Sequence, residues 1–512
     1  MTRNILPLIL ILTLLTPNLH AAILYVDQQA SPTADTFNTI SEAVKIAQPG
    51  DTIFVASGTY RESVIFPRSG EPGKPITLAA LPGQEVIITG ADIVTGWEPF
   101  ANNKRKIHVK RNFDLPSTPG SIFVDGKLHQ PIGPKPLYYK MPRGNKTVDF
   151  HSPIGQNLQD LHPGSFYFDK ETKTIYLWTA QGLACYPKQP EAIKPVIEIP
   201  TRGPVVGSTG DIDYITLNNL TIRYGSCDRM WSIVQMRGSN ITIENCIIEK
   251  SDFGGLGGYG SNWIVRNNII RDNGATGIGA NRIHNGLIQN NDIYNNNTQR
   301  FDMFHHAGGI KIVVSQTLHI IGNRIHDNLG PGLWLDIDVI DTHISNNDIN
   351  NNAGDGIFVE ISAAALIRNN RIADNGLRGI YIAASDDCLV EYNQLKNNGI
   401  LVHGMPRYAH GRKRTLKNNL IRFNTIQNNN GFMASITKTK NEDIVNNRLE
   451  NNLYISGPVA PFWSYGHDNP ITDFAQWVKL TGDTSIVGHD TDRQAPNLPA
   501  AEPWSIKRMY QQ

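Results

Sequence analysis

Short apolar runs, separated by glycine and by paired asparagines, recur along the second half of this chain of 512 residues. The runs are five or six residues long, which is too short for a helix and is typical of a strand. An Asn-x-Ile or Asn-x-Leu motif separates them at intervals of 23, 23, 32, 24, 23, 23, 31 and 23 residues. The nine motif positions are Asn245, Asn268, Asn291, Asn323, Asn347, Asn370, Asn393, Asn424 and Asn447.

This period predicts an all-β solenoid in which each coil buries its apolar side only by stacking on its neighbours. Asparagine suits the corners, since it tolerates the left-handed backbone conformation and can bond to its own backbone. The two long intervals predict loops extending from one coil each, at about 295–307 and 399–415. Such insertions often lie on the binding face of a repeat protein.

Alternation within the strands predicts which side chains face the interior. In the run that begins at Gly332, the inward positions are Leu333, Leu335 and Ile337, and the outward positions are Trp334, Asp336 and Asp338. The same parity turns Phe358 and Glu360 of the next coil outward.

The pattern divides the chain into five segments. These are a signal peptide at 1–21, an N-terminal cap with the first coils at 22–95, a β-rich insert at 96–204, the parallel β-helix at 205–455 and a C-terminal tail at 456–512. The leader has the charged, apolar and small-residue regions of a secretory signal, so we expect a secreted or periplasmic protein with no membrane span after cleavage. We also expect a helical cap at 39–47 and the end of the repeat near Gly457.

Composition narrows the possible partners. Lys+Arg 47 against Asp+Glu 46 gives a net charge of +1, so bulk charge does not favour a nucleic-acid partner. The four cysteines lack metal-ligand or CxxC spacing, and whether Cys227 pairs with Cys246 stays open. We expect a monomer.

The repeat resembles the right-handed parallel β-helix of the pectate-lyase-like superfamily over residues 23–95 and 205–455. The insert, with the run Ser165-Phe166-Tyr167-Phe168-Asp169, resembles the insert of β-helix glycoside hydrolases. The tail run Phe474-Ala475-Gln476-Trp477 resembles the C-terminal segment of the same secreted enzymes. The resemblance implies a protein that acts on poly- or oligosaccharides.

Stacking the coils aligns Asp336 with Glu360 and Asp338 with Ser362. Neighbouring parallel strands lie about 4.8 Å apart, close to the roughly 5–5.5 Å between the carboxyls of a retaining glycosidase. With Asp338 as the partner, the separation would be on the order of 8 Å, in the inverting range. The alternative is a solvated acidic wall without a catalytic role.

Outward positions around this pair form a ladder of Lys311, Trp334, Phe358 and Tyr381. We expect the three aromatics to be exposed and available to stack on sugar rings, unless the long loops or a partner chain cover them. His305 and His306 could bond sugar hydroxyls or simply anchor their loop. Lys311 could bind a uronate carboxylate or stabilise developing charge. Asp338 could orient the substrate, act as the catalytic base or simply be solvated.

The runs Trp334-Leu335-Asp336 and Phe358-Val359-Glu360 resemble the paired motif of β-helix β-xylosidases. That resemblance implies Asp336 as nucleophile and Glu360 as general acid/base. The sequence departs from the motif at Ile337-Asp338, and its spacing of 24 residues is about one longer.

The sequence therefore predicts a glycoside hydrolase that needs no cofactor and has no metal site. One alternative is a polysaccharide lyase in which Lys311 or Arg282 removes a proton and Asp336, Asp338 and Glu360 hold Ca²⁺. A further alternative is a non-catalytic carbohydrate-binding β-helix, which would need exposed aromatics but no close carboxylate pair.

Overall fold

A computed structural model describes residues 21–100, 107–115, 119–133, 141–143, 146–148, 155–179, 195–227, 231–405, 407–409, 412–428, 430–438, 444–466 and 470–489. Nearly all of the expected signal peptide, residues 490–512 and Cys185 lie outside these ranges. Among the described residues, no helix combines the length and the apolar character needed to cross a membrane.

One continuous sheet of 26 strands forms two faces of a parallel β-helix. The first face consists of Val64–Phe66, Val206–Ser208, Ser232–Arg237, Gly254–Ser261, Thr276–His284, Gly308–Val313, Leu333–Asp336, Ile357–Glu360, Ile380–Ala383, Ile400–Gly404, Phe432–Lys438 and Phe462–Gly466. The second face consists of Ile23–Val26, Thr36–Phe37, Thr52–Val55, Ile76–Ala80, Ile215–Asn218, Ile241–Glu244, Ile264–Arg266, Leu287–Gln289, Gln316–Ile321, Ile340–Ser345, Ala363–Arg368, Leu389–Glu391, Leu420–Arg422 and Arg448–Glu450.

A separate sheet of 13 strands forms the third face. Its strands are Gly58–Tyr60, Val86–Thr89, Thr221–Arg223, Ile247–Glu249, Ile269–Arg271, Asp292–Tyr294, Arg324–His326, Asp348–Asn350, Arg371–Ala373, Gln394–Lys396, Thr425–Asn428, Leu453–Ser456 and Ile486–His489. The prediction of an all-β parallel solenoid is confirmed.

Apolar side chains of successive coils stack in register to make the core. One inward column consists of Ile310, Leu333, Ile357, Ile380 and Ile400, all at most 1% exposed. Each coil removes the apolar surface of its neighbour from water, and this burial stabilises the array.

Two buried ladders of asparagine side chains run along the corners of the coils. In each ladder the side-chain Nδ2 donates to the Oδ1 of the next coil, for example from Asn347 to Asn370 at 3.0 Å. The longer ladder contains Asn268, Asn291, Asn323, Asn347, Asn370, Asn393, Asn424 and Asn452. The second contains Asn273, Asn296, Asn328, Asn352, Asn375 and Asn398. Because a buried amide is costly unless it is hydrogen-bonded, this stacking accounts for the repeated asparagine.

Two details of the predicted repeat are wrong. The residue with the left-handed backbone is the one before the ladder asparagine, for example Asn346 with φ 56° before Asn347. Asparagine is therefore required in the ladder for its hydrogen bonds and not for its backbone conformation. Asn245 and Asn447 do not belong to the longer ladder. In place of Asn245, Cys246 lies next to Asn268 in the ladder, 22 residues away, and its backbone N donates to the Asn268 side chain. In place of Asn447, Asn452 follows Asn424, 28 residues away.

Short helices cover both ends of the described solenoid. The helix Ile40–Ile46, predicted at 39–47, begins with a capping box between Thr39 and Glu42, which satisfies the first free amides of the helix. The helix Phe474–Thr481 lies near the other end. The parallel sheets continue past Gly457, where the sequence predicts the end of the repeat, through Phe462–Gly466 and Ile486–His489.

The described part of the insert forms a sheet of eight strands, which are antiparallel except for one parallel pair. This sheet has its own apolar cluster. Its strands are Ala91–Ile93, Glu98–Pro99, Ile107–Lys110, Ile122–Val124, Lys127–Pro131, Ser165–Asp169, Thr174–Trp178 and Ile197–Pro200. A two-stranded sheet of Met141–Arg143 and Lys146–Val148 and a 3₁₀ turn at Leu158–Asp160 complete it. Asp252 of the solenoid accepts hydrogen bonds from Gly120 and Ser121, so the insert is fastened to the coils.

The loop expected at 399–415 starts later than predicted. Ile400–Gly404 is a regular strand of the first face, and only the following residues leave the coil, as the hairpin Arg407–Ala409 and Arg412–Arg414. The strands Leu416–Lys417 and Ile444–Val445 form a further short parallel pair. Cys227 and Cys246 are both buried, and they do not form a disulfide with each other.

Candidate active site

Two outward columns on the first face hold most of the predicted site residues. The first column is Lys311, Trp334, Phe358, Tyr381 and Leu401. The second, two residues further along each strand, is Val313, Asp336, Glu360, Ala383 and His403. The predicted register of Asp336 opposite Glu360 is therefore confirmed, and strands in this pairing lie about 4.8 Å apart.

The two carboxylates lie in different electrostatic surroundings, although each residue is less than a tenth exposed. Asp336 Oδ2 forms an ion pair with Lys311 Nζ at 3.0 Å. Glu360 Oε1 lies 3.4 Å from Arg407 Nη2. Burial and then the nearby Asp336 raise the pKa of Glu360 to about 7, while Arg407 and Lys311 oppose that rise. A carboxyl with this pKa is partly protonated at neutral pH, which suits a general acid.

Lys311 connects the acidic pair to the predicted loop. Its ammonium lies 3.3 Å from the centre of the Trp334 ring and donates to the backbone oxygen of His305 at 2.5 Å. Burial lowers the pKa of Lys311, although Asp336 and Glu360 counteract this. The side chain thus neutralises part of the acidic charge and ties the loop to the first face.

The three aromatics are not exposed, which corrects the sequence prediction. Trp334, Phe358 and Tyr381 are only 4%, 9% and 9% exposed. Their rings stack on one another at centroid distances of 5.0 and 4.5 Å, and Leu401 and Met405 pack against them. Equal positions on adjacent strands bring such rings into stacking contact, so they cover each other and provide a rigid wall.

One polar atom of this wall is directed at the acidic pair. The Trp334 indole lies close enough to lower the pKa of Glu360 slightly. Its Nε1 is buried and has no partner of regular hydrogen-bond geometry among the described residues. Because an unmade buried hydrogen bond is costly, this donor suits a polar group of a bound molecule.

The two histidines have different surroundings. The ring of His306 stacks on Phe253 at 5.4 Å with an interplanar angle of 6°. Burial, with the nearby Lys311 and His305, lowers the pKa of His306 to about 3, so the ring is neutral at neutral pH. His305 is partly buried, and its backbone oxygen receives the Lys311 bond. Both histidines thus help to anchor their loop to the first face.

Asp338 does not continue the acidic column. Ile337, predicted inward, is 37% exposed, and both Ile337 and Asp338 have left-handed backbones with φ of 56° and 60°. The next coil turns at this corner with a single such residue, Ile361. Val339, and not Asp338, aligns with Ser362, to whose Oγ it donates at 3.2 Å. The extra residue of the 24-residue interval is therefore located at this corner, so Asp338 lies at the corner and not in line with Asp336 along the strand.

The calcium site of the lyase alternative is not supported by this arrangement. Across the described ranges, no group of three or more His, Cys, Asp or Glu side chains has a metal-binding arrangement. Arg282, the second proposed base, is exposed at a corner with φ 55°.

Sequence reasoning missed Arg407, which extends from the hairpin to Glu360. Its signal was the basic run at 407–414 inside a predicted loop next to the binding face. Arg378 was also missed. It pairs with the buried Asp355 at 2.7 Å and covers the Tyr381 ring at 4.1 Å, and burial raises the pKa of Asp355.

Comparison with known proteins places this chain in a family. The family model for the right-handed β-helix region matches residues 205–339 and 337–472, which together exceed half of the 512 residues. The chain belongs to this right-handed β-helix family. The model for chondroitinase B matches residues 35–96, a range that contains none of the site residues.

Solved structures share the fold at low sequence identity. The structure of XylC with xylose has a TM-score of 0.55 at 16% identity, covering 87% of this chain and 86% of that one. A glycoside hydrolase has a TM-score of 0.52 at 11% identity, covering 92% and 96%. The predicted right-handed parallel β-helix and its resemblance to carbohydrate-active β-helix proteins are confirmed.

A curated relative matches only a short segment. The uncharacterized protein YwoF of Bacillus subtilis (strain 168) is 33% identical over 67 residues. The match spans 13% of this chain and 14% of that protein.

Proposed function

We propose that this protein is a retaining glycoside hydrolase in which Asp336 is the nucleophile and Glu360 the general acid/base. One observation carries the proposal. The two carboxylates occupy matching positions on adjacent parallel strands, yet Asp336 faces an ammonium ion while burial and Asp336 raise the pKa of Glu360 to about 7. Two carboxyls with such different surroundings divide the roles of nucleophile and acid.

The reaction then proceeds in two displacements. In the first, Glu360 gives its proton to the glycosidic oxygen while an oxygen of Asp336 attacks the anomeric carbon and the bond to the leaving sugar breaks. In the second, Glu360 accepts a proton from water, which attacks the same carbon and releases Asp336. No cofactor is needed.

Other groups of the site would position the sugar. Trp334 Nε1, which has no partner of regular hydrogen-bond geometry among the described residues, is suited to donate to a sugar hydroxyl. The aromatic stack joins three neighbouring strands, including those of Asp336 and Glu360, and helps to keep them in register. Precise placement of reacting groups contributes strongly to rate. Likeness in fold to XylC and to a glycoside hydrolase is consistent with the proposal. In line with the predicted leader, we propose that the enzyme works outside the cytoplasm.

The alternatives have less support. Lys311 is ion-paired to Asp336, so it is a poor free base for a lyase. A non-catalytic binding surface would require exposed aromatics, and the three ladder rings are buried.

A glycan panel tests the proposal. Wild-type protein is incubated with neutral, uronate and sulfated oligosaccharides, with and without a chelator, and both reducing ends and unsaturated products are measured. We expect reducing ends alone, unaffected by the chelator. In Glu360→Gln and Asp336→Asn, kcat/KM should fall by about 100- to 10,000-fold, whereas Asp348→Asn, a carboxylate of the third face, should behave as wild type.

Two outcomes would contradict the proposal. Unsaturated, chelator-sensitive products would indicate a lyase. Retained glycan binding in all three variants, with no cleavage by the wild type, would indicate a binding protein.

A further inference from the structure

The segment that follows Gly404 is rich in basic residues, and one of them, Arg407, lies beside the proposed catalytic pair. Residues 405–417 contain five basic side chains and no Asp or Glu, in a chain whose net charge is only +1. The five are Arg407, Arg412, Lys413, Arg414 and Lys417. The hairpin leaves the first face two coils after Glu360, and its strands pair Arg407 with Arg414.

Contacts at its base direct this hairpin toward the site. Met405 packs against the stacked rings of Trp334, Phe358 and Tyr381. Arg407 Nε donates to Met405 Sδ at 3.2 Å, and Arg407 Nη2 lies 3.4 Å from Glu360 Oε1. The first basic residue is thus held at the acid/base residue by packing on the aromatic wall.

Arg407 keeps capacity for another ligand. Its side chain is 48% exposed, while that of Glu360 is 10% exposed. A guanidinium has five N–H donors in a planar fork suited to carboxylate and sulfate oxygens. Among the described residues, the two contacts above leave several of these donors of Arg407 available to a ligand. An arginine serving only as a partner of Glu360 would oppose the protonation that a general acid needs, so a second anion that shares it favours the reaction.

We propose that Arg407 makes this site select glycans with an anionic group, a uronate carboxylate or a sulfate ester, next to the cleaved bond, by binding that group. The inference rests on the proposed hydrolase function. Binding of the anion draws the guanidinium partly away from Glu360 and leaves the carboxyl free to hold its proton. Lys311 stays with Asp336, so Arg407 supplies the cation for the substrate.

Kinetics on matched substrates test the inference. The probes are pairs of oligosaccharides and 4-nitrophenyl glycosides that differ only in a uronate carboxylate or a sulfate ester. We expect the anionic member of a pair to be preferred at least tenfold in kcat/KM. Arg407→Ala should remove that preference, mainly through KM, and Arg407→Lys should restore part of it. Arg324→Ala, which removes an exposed charge on the third face, is the matched control.

A pH profile separates recognition from a purely structural role. Because Arg407 holds the pKa of Glu360 down, Arg407→Ala should also move the alkaline limb of kcat/KM to higher pH on neutral substrates. A preference for the uronate substrates would identify a carboxylate as the group that Arg407 binds. A preference for the sulfated substrates would identify a sulfate ester.

Failure of this inference differs from failure of the proposed function. Hydrolysis with equal kcat/KM for both members of each pair, or an equal loss for both in Arg407→Ala, would overturn the inference alone. Without any hydrolysis, calorimetric titration of Glu360→Gln with the same oligosaccharides still reports whether Arg407 selects the anion. Equal affinity for charged and neutral members there would overturn it independently of catalysis.

Discussion

Glu360 shows how neighbouring residues can give one of two like groups a separate role. Asp336 and Glu360 occupy equivalent positions one coil apart, and both are buried. Lys311 lies on the Asp336 side, only 3.0 Å from that carboxylate, whereas Arg407 approaches Glu360 from the hairpin at 3.4 Å. Charge placement around the pair, and not the identity of the carboxyls, distinguishes nucleophile from acid.

The raised pKa of Glu360 predicts a cost in stability at high pH. Since the folded state favours the protonated form, stability falls as pH rises from the ordinary value of 4.5 through about 7. Glu360→Gln removes the charge, so it should be more stable than wild type at pH 8, by at most about 3 kcal/mol, and nearly equal at pH 4. Urea unfolding at the two pH values measures this, with Asp348→Asn as control. Equal stability of Glu360→Gln and wild type at both pH values would contradict the raised pKa.

At the residue scale, the sequence predicted correctly those features that depend only on regular strand alternation. The pairing of Asp336 with Glu360 needs only the coil spacing and the strand parity. The burial of Trp334 and its neighbours could not be predicted, because alternation gives the direction of a side chain and not what covers it. The approach of Arg407 depends on a hairpin folding back over 47 residues of sequence separation, which no local pattern encodes.

At the scale of single elements, the corner asparagines hold successive coils in register. Asn347 accepts from the backbone N and the side-chain Nδ2 of Asn323, at 2.9 and 3.0 Å, and donates to Ile320 O at 2.9 Å. At 2% exposure, none of these groups can turn to water. The repeated Asn-x-Ile motif is thus a requirement of the ladder, and its left-handed neighbour forms the turn.

Asn347→Ala should therefore be strongly destabilising. It leaves amide and carbonyl groups of two coils buried without partners, at about 2–5 kcal/mol in total. Asn350→Ala should change stability by less than about 0.5 kcal/mol. This nearby, partly exposed asparagine bonds through its side chain only to the neighbouring side chains of Asp348 and Asn351 in the described structure. Chemical denaturation of both variants measures the difference, and similar losses would show that the ladder is not the cause.

The corner at Ile337 and Asp338 shows where element-scale prediction fails. The interval of 24 reveals an extra residue, but alternation simply continues through it and turns Ile337 inward and Asp338 outward. The left-handed backbone at both residues breaks that parity. A spacing that is one residue too long therefore shows which coil is irregular. It does not show at which corner of that coil the extra residue lies.

At the scale of the whole molecule, the solenoid is a stack whose described ends are covered by helices. At the C-terminal end, Asp483 Oδ2 accepts from Trp477 Nε1 at 2.8 Å and from Tyr454 at 2.9 Å. Trp477 is fully buried and its ring lies 6.4 Å from that of Trp463. The sequence repeat weakens in this region because capping residues differ from those of the inner coils, which is why the fold extends further than the predicted end.

Trp477→Ala should loosen this end and leave the site intact. Losing a buried indole costs about 3–5 kcal/mol, but in a stack each coil contacts only its neighbours, and the strands of Asp336 and Glu360 lie several coils away. Limited proteolysis should cut the variant near the C-terminal end while kcat/KM stays near that of wild type. Trp231→Ala, a partly exposed tryptophan, is the control. Equal loss of activity and protection throughout the chain would contradict a locally stabilised stack.

The central claim is that Asp336 and Glu360 work as a retaining pair, and the anomeric configuration of the first product tests it most directly. Proton NMR of a substrate cleaved in the glycan panel, recorded during the first turnovers and before mutarotation, distinguishes the two outcomes. Adjacent parallel strands are spaced close to the roughly 5–5.5 Å that separates the two carboxyls of a retaining enzyme. We therefore expect the first product to have the same anomeric configuration as the substrate. Initial release of the opposite anomer would show that water attacks directly, and would contradict Asp336 as the nucleophile.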